Sequence, residues 1–137
     1  MRVLLSGLVV TVLVACGGGT DATVPLAAPD RVSFELEAAP LLAKRCGDVA
    51  CHGTERHAFA LYAVGRRRLR AVDTFSSKPL STAEVDANFF ATLGFLDAPK
   101  AVDTTLLRKA LGMGHGGDAV FAHPSDPECQ AVLRWLQ

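Results

Sequence analysis

The sequence predicts a small all-α domain with long loops, set behind a signal peptide and a flexible tether. Three observations predict it. Apolar residues recur at helical spacing in several separate stretches. Each stretch carries its own start or stop signal. The connections between them are long and irregular, with little that reads as strand.

The N-terminal run comes first. Arg2 supplies a positive charge, and Val3 to Val14 is apolar except for Ser6, Gly7 and Thr11. That run is too short for a permanent transmembrane helix but suits the apolar region of a signal peptide. It closes on LVAC, Leu13 to Cys16, which resembles the bacterial lipobox. The resemblance implies cleavage after residue 15, diacylglycerol on the Cys16 thiol and acylation of the new amino group. Two or three chains anchor a protein stably where one would not. An ordinary secretory signal with an incidental cysteine is the competing reading. On the lipobox reading the protein sits in the bacterial envelope. Gly17 carries no acidic retention cue, which favours the outer membrane, facing the periplasm.

Residues 16–32 are expected to form the lipidated tether, because GGGTDATVPLAAPDR offers glycine, proline and small residues but little to bury. The domain is expected over 33–137, a length able to bury one core. Fourteen basic residues balance fourteen acidic ones, so no overall field favours nucleic acid as a partner.

Within the domain, Ser33 is a candidate cap for a first helix carrying Phe34, Leu36, Ala38, Leu41 and Leu42, with Lys44 and Arg45 at its negative end. Pro40 should start that helix or kink it. Residues 53–80 read as loop. Ser81-x-x-Glu84 is a capping box opening a second helix, whose apolar face is Val85, Phe89, Leu93 and Leu96. Asp103 or Thr104 can cap a short third helix, which ends at GMGHGG. The last helix begins near Ser125, with Pro127 in its first turn, and carries Val132, Leu133, Trp135 and Leu136.

The chemistry concentrates in RCGDVACHG, Arg45 to Gly53. Two cysteines followed directly by histidine can hold haem: the thiols form thioethers with the vinyl groups and the imidazole binds iron. The usual spacing is C-x-x-C-H. Here Cys46-x4-Cys51-His52 is two residues longer. Three other arrangements compete. Cys46 and Cys51 could form a short disulfide. Cys129 could pair with either of them, since three cysteines remain once Cys16 is lipidated and an odd number cannot all pair within the chain. A zinc site ranks last, because Cys46, Cys51 and His52 lack a fourth partner at typical spacing.

A haem iron needs a second axial ligand. GMGHGGDAVF, Gly112 to Phe121, offers Met113 and His115 in a glycine-rich loop able to approach a flat cofactor. Arg66, Arg67, Arg68 and Arg70 form the densest charge run. They suit haem propionates, an anionic lipid surface or an acidic partner, but such runs usually face water. His57 and His123 show no partner pattern and read as surface or capping residues.

Taken in order, these segments resemble the cytochrome-c-like domains of planctomycete and myxobacterial exported proteins. The matching positions are Cys46, Cys51, His52 and Gly53, then Leu106, Leu107, Lys109, His115, Gly117, Phe121 and Trp135. The resemblance implies a cytochrome c fold in which the first and last helices cross through Pro40–Cys46 and Val132–Leu136. It also implies covalent haem c on Cys46 and Cys51, His52 as proximal iron ligand and His115 as distal ligand, with Met113 the alternative. The expected activity is electron transfer to or from a redox partner protein, without bond chemistry. The alternative is a haem-free domain on the same scaffold, stapled by a disulfide and acting as an envelope binding module. A hydrolase reading lacks Ser-His-Asp spacing, paired carboxylates and a phosphate loop.

Overall fold

The computed structural model describes residues 26–137. Cys16, the signal peptide and residues 16–25 of the expected tether lie outside the described residues. Those described are helical, with no strand among them, and no helix among them is long and apolar enough to cross a membrane.

Asp30 opens the first helix, α1 (Arg31–Ser33), and its carboxylate accepts the Ser33 N–H at 2.6 Å. Ser33, the expected cap, already has helical φ and ψ. Residues 26–32 therefore belong to the fold and not to a tether. Leu26 N–H donates to the Pro99 carbonyl at 2.8 Å, Ala27 N–H to that of Leu136 at 3.1 Å, and Arg31 pairs with Asp86 at 2.7 Å. Their composition resembles a linker, but their partners come from remote parts of the chain.

The helix then widens to a π turn over Phe34–Ala38 and returns to α geometry in α2 (Ala39–Cys46). Pro40 explains the change of pitch. It has no N–H, and its ring would clash with the carbonyl one turn back. The wide turn, in which Ala39 N–H reaches back to the Phe34 carbonyl, leaves Pro40 in the first turn of α2, where no donor is needed.

The remaining helices match their sequence signals closely. In α3 (Thr82–Leu93) the Ser81–Glu84 capping box is fully formed. Val85 and Phe89 are buried, while Leu93 and Leu96 are partly buried against the core. Thr104 caps α4 (Thr105–Ala110), and Asp126 caps α5 (Pro127–Trp135) with Pro127 at its first positions. The long connection between α2 and α3 is irregular apart from a 3-10 turn at Ala71–Asp73.

An aromatic cluster joins these helices. The Phe34 ring lies 5.0 Å from Trp135 and 5.3 Å from Phe89, centroid to centroid. Phe34, Leu107, Phe121, Val132, Leu133 and Leu136 are essentially sealed from solvent around it. The first and last helices do meet. However, α5 packs on the π turn Phe34–Ala38, one turn before the expected Pro40–Cys46 face. The π turn is responsible, because it aims Phe34 and Ala38 into the core. Lys44 and Arg45 add ion pairs to Glu128 at 3.2 and 3.1 Å, tying the end of α2 to the start of α5.

Candidate functional site

The two extra residues between Cys46 and His52 are absorbed by a turn built on Asp48. Its backbone carbonyl accepts N–H groups from Cys51 at 2.9 Å and Gly53 at 2.7 Å, and its carboxylate accepts that of Ala50 at 3.0 Å. The chain thereby returns so that His52 N–H bonds to the Cys46 carbonyl at 3.0 Å. Gly53 makes this closure possible. A Cβ there would lie 2.5 Å from the Gly47 oxygen and 2.8 Å from the Asp48 carbonyl, too close for any side chain.

His52 is then fixed from two sides. Its carbonyl accepts Leu61 N–H at 2.7 Å, and its ring Nδ1 lies 2.7 Å from the Phe59 carbonyl. A carbonyl can only accept, so Nδ1 carries the proton and Nε2 keeps its lone pair. Burial lowers the pKa of His52, and the neighbouring His57 and His115 rings lower it further, although the Phe59 bond opposes them. The ring is therefore held neutral, the form that binds metals.

The second histidine sits on the loop after α4. Gly112 and Gly114 both have positive φ, at 85° and 65°, which lets the chain turn tightly on either side of Met113. The loop is pinned at its base, where the Ala110 carbonyl accepts N–H groups from both Val120 and Phe121. Lys109 Nζ bonds to the Gly114 carbonyl, and Arg45 donates to that of Val120 at 2.8 Å. His115 Nδ1 lies 3.1 Å from the Asp118 carbonyl, so its Nε2 is likewise the nitrogen left with a lone pair.

These two loops share a cavity of about 790 Å³ between α2 and α4. Cys46, Cys51, His52 and His115 all line it. The His52 and His115 rings lie 6.0 Å apart, centroid to centroid, with planes inclined by 22°. Leu42, Phe59, Phe95 and Leu106 make the walls apolar, and Lys44, Arg45, Arg66 and Lys109 add positive charge.

Other expected site residues fall elsewhere. Met113 is 47% exposed and does not line the cavity. His115, just beyond the two glycines, does line it. Cys129 is fully buried in the hydrophobic core on α5, outside the cavity. The expected pairing of Cys129 with Cys46 or Cys51 is not formed: all three are free thiols. Burial pushes the Cys46 thiol up to about 11, assisted by Cys51, and the Cys129 thiol also to about 11, so both are protonated at neutral pH. Among the described residues, no three His, Cys, Asp or Glu side chains form a group able to hold a metal ion unaided.

The arginine run is not simply a solvated loop. Arg68 is buried against Glu84. Arg67 lies over the Tyr62 ring, 4.1 Å from its centroid. Arg66 donates to the Ala43 and Lys44 carbonyls at the end of α2 and is the only member of the run that lines the cavity. Arg70 alone is largely exposed. His123 does act as a local cap, bonded through Nδ1 to Ser125. His57 is a surface residue, as its sequence context implied, but it also lines the cavity, with its ring 5.5 Å from that of His52. Only its place five residues after His52 could have suggested this. The basic lining from Lys44, Arg45 and Lys109 was equally hidden, because each reads locally as a helix-end charge. The chain matches no protein-family model, no curated protein and no solved structure.

Proposed function

We propose that this protein is a lipid-anchored, c-type haem electron carrier. One observation carries the reading. Two neutral-capable imidazoles face one cavity 6.0 Å apart, each with Nδ1 committed to a backbone carbonyl and Nε2 free. Metal-bound histidines characteristically donate their other nitrogen in this way. His52 and His115 are the residues that would hold the iron.

The rest of the donor set fits haem c. Cys46 and Cys51 would hold it covalently, and the cavity volume lies within the range of cofactor sites. When bound, haem supplies a one-electron couple. The chain's own residues would bind and tune it. His52 and His115 would ligate the iron and tune its potential, and the apolar walls would exclude water. Lys44, Arg45, Arg66 and Lys109 suit two propionates, with Arg able to bind carboxylate in a fork. A cytochrome c-like fold goes with this reading, supported by the meeting of the first and last helices at Phe34 and Trp135. The anchor is lipid on Cys16, the membrane most simply the outer one, and the partner a redox protein in the periplasm.

The test is expression of the full chain in a host that matures c-type cytochromes. We expect haem that stays on the polypeptide through denaturing electrophoresis and a low-spin reduced-minus-oxidised spectrum. His115→Ala should convert it to high spin, and Met113→Ala should not. Protein that emerges without covalent haem under these conditions would overturn the reading and favour the haem-free binding module.

A further inference from the structure

The segment from Leu69 to Lys78 stands apart from the cavity. Its neck is locked by Arg68, a buried guanidinium that grips both flanks of the loop. It donates to the Lys78 and Pro79 carbonyls, each at 3.0 Å, and to both Glu84 oxygens at 2.9 and 3.0 Å. Glu84 in turn accepts the Leu69 N–H at 2.7 Å and the Ser81 N–H at 2.8 Å. Entry and exit of the loop are thus bonded to the same ion pair. Within it, Asp73, Thr74 and Ser76 N–H groups close successive tight turns. The tip cannot readily fold back onto the core.

That tip is apolar and fully offered to solvent. Phe75 is 94% exposed, Val72 76% and Leu69 57%. Val72 sits in the 3-10 turn Ala71–Asp73 and Phe75 in the turn that follows it, while Leu69 stands before the extended Arg70 at the neck. Arg70 and Lys78 flank them with positive charge, and Asp73 lies 3.8 Å from Arg70. Serine and threonine fill the remaining positions of residues 74–77. Apolar side chains projecting from a basic, hydroxyl-rich collar match the boundary between acyl chains and anionic headgroups.

We infer that the Leu69–Phe75 tip is a second membrane contact, dipping Val72 and Phe75 into the interface of an anionic bilayer. The bilayer is chosen over a protein partner because the lipobox reading of Cys16 ties the chain to one. Residues 16–26 reach at most about 3.5 Å each, which confines the domain to within one domain diameter of the membrane surface. Under such confinement even a weak contact is well populated. The inference needs no haem.

The test places a fluorophore in the tip. The purified full-length protein carrying Phe75→Trp is mixed with phosphatidylethanolamine–phosphatidylglycerol vesicles brominated in their acyl chains. Phe90→Trp, at another exposed apolar position and away from the cavity, is the control. After subtraction of the emission of the unsubstituted protein, whose buried Trp135 is common to every variant, we expect the Phe75→Trp signal to shift to the blue and to lose about half or more of its intensity, while the control stays in water. Intact mass reads acylation of Cys16 separately. An unacylated protein with a quenched tip would keep this inference and remove the anchor. An acylated, vesicle-bound protein with an unquenched tip would keep the anchor and overturn this inference. Dimers that dissociate on Phe75→Asp, with no quenching by lipid, would assign the tip to a second copy and also overturn it.

Discussion

The indole Nε1–H of Trp135 donates to the backbone carbonyl of Asp30 at 3.0 Å. The last helix is thereby bonded to the residue that caps the first. The same indole lies against the Phe34 ring, tilted by 58°. Trp135→Ala should cost about 3–5 kcal/mol, the usual range for an emptied aromatic site. Trp135→Phe should cost less, on the order of 1–2 kcal/mol, because most of the packing remains and only the hydrogen bond is lost. Urea unfolding of the three proteins, followed by far-ultraviolet circular dichroism, measures both.

The helices were legible where the signal is local. Ser81 and Glu84 lie within one turn, so their capping box is readable from four residues, and Thr104 and Pro127 mark their helices in the same way. The site was legible in its donors, since Cys46, Cys51, His52 and His115 do converge on one cavity. What stayed hidden depends on distant partners. Leu26 and Ala27 read as linker because Pro99 and Leu136 are far away in sequence. Arg68 read as solvated because Glu84 is sixteen residues on. Met113 and His115 could not be ranked, since which of them lines the cavity depends on the path of a loop with two positive-φ glycines.

Glu84 should make stability depend on acid pH. Its two bonds from Arg68 outweigh burial and, with the Ser81 and Leu69 N–H groups, hold its pKa near about 2 instead of 4.5. The folded value is depressed, so the unfolded chain takes up the proton first. The stabilisation is complete above pH 4.5 and is lost as pH falls through about 2. Glu84→Gln leaves Arg68 buried without its counter-charge, which should cost about 3–5 kcal/mol near neutrality. The gap between wild type and variant should close progressively between pH 4.5 and about 2. Denaturant midpoints across that range give the measurement, and a constant gap would refute the assignment.

Gly53→Ala tests the turn that carries the longer cysteine spacing. The new methyl would meet backbone atoms of Gly47 and Asp48 that have no rotamer by which to move aside. A loss of about 1–3 kcal/mol is expected, as for other overpacked sites. The Cys51–His52 peptide should shift with it and, on the proposed haem reading, lower the yield of covalent haem. Gly116→Ala is the matched control, because a Cβ there meets nothing within 4 Å. Thermal melts and haem-stained gels should separate the two.

On the proposed haem reading, position 115 should govern the redox potential. The loop bearing His115 is closed at its base by the Ala110 carbonyl and held by Lys109 and Arg45, so a replacement side chain at 115 inherits a fixed backbone. Methionine is long and flexible enough to reach the place that the imidazole leaves. On the proposed bis-histidine reading, His115→Met exchanges a nitrogen ligand for a thioether, which favours the reduced iron. The potential should rise by on the order of 0.1 V, a modest share of the roughly 0.8 V that axial ligands command. Spectroelectrochemical titration reads the shift, and a methionine–iron charge-transfer band in the oxidised protein would show that the thioether is bound. Met113→His is the converse experiment. Its side chain stands outside the cavity, so the potential should not move. A shift there with none at position 115 would make Met113 the ligand and require the glycine-hinged loop to turn over.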